Sequence, residues 1–98
     1  MQIRIDSADA LGLAVRAARK HAGVRLDDLA ATAGVSKQFT TELEHGKPGI
    51  RLGLALKVLH ELGLDLCVDL PDECADDLHA LRERGLRPLK PRDSRPAP

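Results

Sequence analysis

Apolar side chains recur along this chain in two rhythms, one helical and one extended. Leu11, Ala14, Val15, Ala18 and Ala22 fall at three- and four-residue steps, which places them on one face of a helix. That helix is predicted to start after Asp6 or Ser7, either of which can cap it, and to run to about His21, with Gly23 ending it. Leu29, Ala30 and Ala33 mark a second, shorter helix, and Leu43 marks the buried side of a third over residues 37–45. Leu52, Ala55, Leu56, Leu59 and Leu62 give a fourth over residues 52–62 its stripe. The rhythm then changes. Leu64, Leu66, Val68 and Leu70 alternate with Asp65, Cys67 and Asp69, the signature of a half-buried strand, and Pro71 stops it. A lone strand leaves its own amides and carbonyls unpaired. Its partner must be residues 1–5, which alternate weakly, or the same segment of a second copy. The length of residues 64–70 and their apolar face favour the second copy, and hence a homodimer. A last helix over residues 72–85 has only the thin stripe Ala75, Leu78 and Leu81.

The joint between the second and third helices organises the chain. Gly34 supplies the positive φ that a sharp helix exit requires. Val35 then reads as a core plug and Ser36 as an N-cap. Two short helices joined so tightly cross steeply, which is helix-turn-helix geometry. Arg25 stands where a side-chain cap is usual for the second helix, with Asp27 and Asp28 compensating through the helix dipole. Gly46 ends the third helix, and Lys47-Pro48-Gly49 makes a turn before the fourth.

Charge changes the picture only in its distribution. The 98 residues carry formal net charge zero, with 15 Lys/Arg and 15 Asp/Glu. Residues 16–57, however, hold eight Lys/Arg against four Asp/Glu, whereas residues 58–98 hold six against nine. A basic segment beside an acidic one permits a nucleic-acid partner without requiring it. The core must rest on Leu, Val and Ala, because Phe39 is the one aromatic residue. No apolar run is long enough to span a membrane, and MQIRIDSAD lacks the apolar core of a signal peptide, so a cytoplasmic location is expected. Cys67 and Cys74 are then expected as reduced thiols. Their spacing, even with His60 and His79, does not make a metal site, and no cofactor is expected. Residues 1–71 form the expected domain, followed by a short helix and a tail over 86–98 whose prolines and basic residues predict disorder.

Reading DNA requires cations and amides for phosphates, and side chains near a helix start for base edges. Lys37 can donate to guanine, and Gln38 can pair in bidentate fashion with adenine. Ser36 and Thr41 carry hydroxyls suited to a base edge or a phosphate, although Ser36 also serves as a cap. Glu42 can accept from cytosine or merely repel the backbone. Lys47, Arg16 and Arg19 are the candidates for phosphate, with a solvated basic face as the alternative for the two arginines. No nucleophile–base constellation and no glycine-rich phosphate loop occur, so an enzyme is not expected.

LAATAGVSKQFTTELEHGK resembles the helix-turn-helix of the phage-repressor (Xre/Cro) type, and the resemblance extends from Leu11 to about Leu70. Phe39, the run LEHGKPGIRLGLALKVLHELGLDL from Leu43, and the trailing alternating segment look most like HipB-like antitoxins. The resemblance implies an all-α, lambda-repressor-like domain of four to five short helices plus a short C-terminal dimerisation strand. It also implies a homodimer on an inverted-repeat operator in double-stranded DNA, repression of its own operon, and neutralisation of a HipA-like kinase toxin. Ser36, Lys37, Gln38 and Thr41 would take base-reading positions, Lys47 a phosphate position, and Leu64, Leu66, Val68 and Leu70 the dimer contact. The Arg25 cap and Thr40 at a core position depart from the pattern, and the chain beyond Pro71 has no counterpart. A stand-alone or phage-type regulator without a toxin is the alternative, and a protein-interaction adaptor is one of another class.

Overall fold

A computed structural model describes residues 1–85. Among them are five α-helices: α1 (Ala8–Ala22), α2 (Leu26–Ala33), α3 (Lys37–Glu44), α4 (Leu52–Glu61) and α5 (Ala75–Arg84). A 3-10 turn, Asp72–Cys74, leads into α5. The helices start where the sequence offers caps. Ser7 accepts from the Ala10 amide at 3.1 Å, opening α1. Arg25 provides no side-chain cap to α2, which instead carries Asp27 and Asp28 in its first turn, where the dipole favours them.

The first compact unit, Met1–Cys67, contains α1 to α4. Helix α3 packs against α1 and α2, and α2 also packs against α4. Leu11, Val15, Leu29, Leu43, Val58 and Leu59 dominate the shared core, with Val35 and Phe39 packed against it. Full burial of a Leu or Val contributes roughly 1.5–3 kcal/mol relative to exposure, so these few side chains hold the unit together. Thr40 is completely buried among them, and its hydroxyl donates to the Ser36 carbonyl at 3.0 Å. That internal bond satisfies a hydroxyl standing where an aliphatic side chain is usual. The second unit, from Val68 onward, holds the 3-10 turn and α5, in which no residue is buried.

Three expectations are corrected. The alternating segment 64–70 forms no strand, nor do residues 1–5, and no strand occurs among the described residues. A ladder needs a second row of amides and carbonyls, which a single chain of this topology does not bring alongside. Helix α4 is rotated relative to the predicted stripe: Ala55, Val58 and Leu59 are buried, while Leu52 and Leu56 are exposed. On α1, Ala22 is exposed beside the terminating Gly23. The 86–98 tail lies outside the described residues. No helix among the described residues is long and apolar enough to cross a membrane.

Candidate nucleic-acid interface

The geometry of α3 follows from how its two ends are built. Gly34 adopts φ 73°, and its amide and that of Val35 close the last turn of α2. The chain leaves α2 abruptly, and Val35 turns toward the core. Ser36 then starts α3, its hydroxyl accepting from the Phe39 amide at 2.9 Å. Thr40, Leu43 and Glu44 face inward on α3. Their helical spacing turns Lys37, Gln38, Thr41 and Glu42 outward, with Lys37 and Gln38 exposed and the other two half-buried.

Ser36, Gln38 and Glu42 line one groove of about 320 Å³ with Lys47 and Arg51. Four of the sequence-predicted groups therefore meet in or beside this groove: Ser36, Gln38, Lys47 and the ambivalent Glu42. Lys37 stands at the start of the same helix, within 3.4 Å of Asp27 on α2. The Thr41 hydroxyl donates to the Lys37 carbonyl at 3.0 Å, which leaves it an acceptor toward a ligand. Lys47 is ion-paired with Glu42. Sequence reasoning passed over Arg51, the exposed N-cap residue of α4 that lines the groove. Its signal was present: a basic residue directly after a Pro-Gly turn and before a helix. Donors of hydrogen bonds and positive charge thus flank an outward helix face, an arrangement that suits phosphates at the rim and base edges at the centre.

The two arginines on α1 separate. Arg16 is exposed and lies outside the lining of the groove. Arg19 is not available as a phosphate ligand, which corrects that expectation. Its Nε donates to Glu44 Oε2 at 2.5 Å and its Nη2 to Glu44 Oε1 at 2.9 Å, a bidentate pair. Its Nη1 donates to the Val24 carbonyl at 3.1 Å. The side chains are 14% and 2% exposed. Hydrogen bonding to Glu44 pushes the Arg19 pKa above its usual value despite the opposing effect of burial, so the guanidinium stays charged. Glu44 is thereby the anchor between α1 and α3.

No family model matches the sequence. A relative, the uncharacterised HTH-type transcriptional regulator y4mF of Sinorhizobium fredii, is 40% identical over 73 residues, covering 74% of this chain and 96% of its own. Among solved structures, the HipB chain of a HipB–O2 20mer complex is similar with TM-score 0.66 and 21% identity, over 74% of this chain and 100% of the other. A chain of the HipA–HipB–O2–O3 complex is similar with TM-score 0.65 and 21% identity, over 72% and 100%. At that identity the structural likeness concerns the fold. The family follows from the relative, which is 40% identical over nearly its whole length: the chain belongs to the HTH-type transcriptional regulators.

Proposed function

We propose that this protein is a sequence-specific DNA-binding repressor of its own operon and the antitoxin of a HipA-like kinase toxin. One observation carries the DNA reading: the N-terminal half of α3 holds Lys37, Gln38 and Thr41 outward from a helix whose opposite face is locked in the core. In this reading Ser36, Lys37, Gln38 and Thr41 meet base edges, while Lys47 and Arg51 meet phosphates. Arg16 is an outlying phosphate contact on the same reading. The toxin partner rests on likeness to a chain found in complex with HipA. A kinase-like gene beside this one separates an antitoxin from a stand-alone regulator.

Gln38 gives the direct test. Gln38→Ala is expected to cost roughly 1–3 kcal/mol on the operator and to relax preference at one base pair. Fluorescence anisotropy on operator and scrambled duplexes reads this. An equal loss on both duplexes contradicts base readout by Gln38.

The protein acts as a homodimer in the same reading, through Leu64, Leu66, Val68 and Leu70. Leu66, Val68 and Leu70 are 41%, 83% and 47% exposed. Apolar side chains in such a run are more stable covered than wet. Within the first unit, Ile3, Leu11, Leu64 and Leu66 also line an apolar groove of about 520 Å³. Sedimentation at micromolar concentration is expected to give a dimer, and Val68→Asp with Leu70→Asp a monomer. A wild-type monomer contradicts this contact.

A further inference from the structure

The two lysines of the reading face do not stand alone. Lys37 Nζ lies 3.4 Å from Asp27 Oδ1, with the side chains 68% and 51% exposed. Lys47 pairs with Glu42, the lysine 58% and the carboxylate 26% exposed. Glu44 is committed to Arg19, so three of the four acidic residues in the basic segment 16–57 hold a cation. Ion pairs this exposed contribute about 0–1 kcal/mol to folding, which is little reason for them to occupy both lysines of a DNA-facing helix and its exit. Their larger effect is on charge.

We propose that Asp27 and Glu42 are specificity-determining residues: each holds a reading-face lysine in an intramolecular ion pair, so that the lysine reaches DNA only by exchanging its carboxylate. This rests on the DNA-binding function proposed above. Non-specific affinity comes almost wholly from cations on phosphates. A lysine already neutralised subtracts from that affinity on every sequence. At a matching site the exchange is offset, because Lys37 can donate to guanine and Glu42, released as Lys47 turns to a phosphate, can accept from a cytosine amine. At a mismatched site the released carboxylate meets only phosphates, which repel it. The pairs therefore weaken binding to bulk DNA more than binding to the operator, a repulsive element aimed at the wrong partner.

The test is a double-mutant cycle on the full chain, with a random-sequence duplex and the operator duplex titrated over a range of salt. Glu42→Gln is expected to tighten random-sequence binding about fivefold at ~0.15 M salt and to steepen the salt slope by about 0.9, as for one added phosphate contact. The ratio of operator to random-sequence affinity should fall by a similar factor. In the Lys47→Ala background the same substitution should gain much less on random DNA, because no lysine is there to release. Asp27→Asn with Lys37→Ala should repeat the pattern in an Arg25→Ala background, because Arg25 Nη2 also lies 3.8 Å from Asp27 Oδ2. An equal gain with and without the lysine means the carboxylate acts only through overall charge, and overturns the proposal. So does no gain at all. Wild-type protein that binds neither duplex overturns the DNA reading itself, whereas wild-type binding with an inert Glu42→Gln removes this inference alone.

Discussion

Glu44→Ala is expected to lower the unfolding free energy by about 1.5–3 kcal/mol, because it strips the partly buried Arg19 guanidinium of its bidentate, charged hydrogen-bond partner. The pair is bidentate, and the same guanidinium holds the Val24 carbonyl at the α1–α2 turn. Its loss loosens two junctions at once. A domain of this size has only about 5–15 kcal/mol in total, so the variant should unfold at much lower urea and temperature. Replacing both partners, Arg19→Met with Glu44→Leu, should restore most of the loss, since apolar residues of similar volume remove the stranded charge. Urea denaturation followed by circular dichroism measures both. A loss below about 1 kcal/mol for Glu44→Ala would place the pair with ordinary surface ion pairs.

Gly12→Ala is expected to cost at least about 1–3 kcal/mol of stability and to weaken operator binding beyond that loss. A Cβ at position 12 would lie 2.6 Å from the Leu43 carbonyl oxygen and 2.8 Å from that of Glu44. Those are backbone atoms at the end of α3 and cannot rotate aside, so α1 and α3 must move apart. Helix α3 carries the residues proposed to read DNA, and its displacement shifts them relative to α1. Gly53→Ala is the control. Nothing lies within 4 Å of its Cβ, and in α4 the change should stabilise by roughly 0.5–1 kcal/mol. If Gly12→Ala behaves like Gly53→Ala, the close approach of α1 to α3 does not position α3.

The parts of this fold that were legible are those encoded locally. The Gly34 turn, the Ser36 cap and the alternation of inward and outward positions on α3 all lie within a dozen residues, and periodicity locates them. Helix α4 shows where periodicity fails. LGLALKVLHE is apolar on nearly every side, so several rotations satisfy the same pattern, and packing on α2 selects the one that buries Val58. The Arg19–Glu44 pair spans 25 residues, a separation that no local spacing reveals. A signal did exist, because Glu44 lies four residues after Thr40 and beside Leu43 on the buried side of α3, and a carboxylate there requires a partner. Alternation over residues 64–70 reports two unlike faces, whereas a strand depends on a second row of backbone groups that no short-range pattern contains. Arg51 joins the groove only through the Lys47-Pro48-Gly49 turn, which carries the start of α4 back beside α3, a placement that no short-range pattern contains.

The measurement that bears most directly on sequence-specific repression is selection of fragmented source-genome DNA on the purified full chain at near-physiological salt, followed by sequencing. Enrichment of one inverted repeat upstream of the protein's own gene is the expected result, with its half-sites about one helical turn apart as a two-fold dimer requires. Uniform recovery of fragments with no shared motif would contradict the account, because α3 would then present its side chains to something other than a DNA sequence.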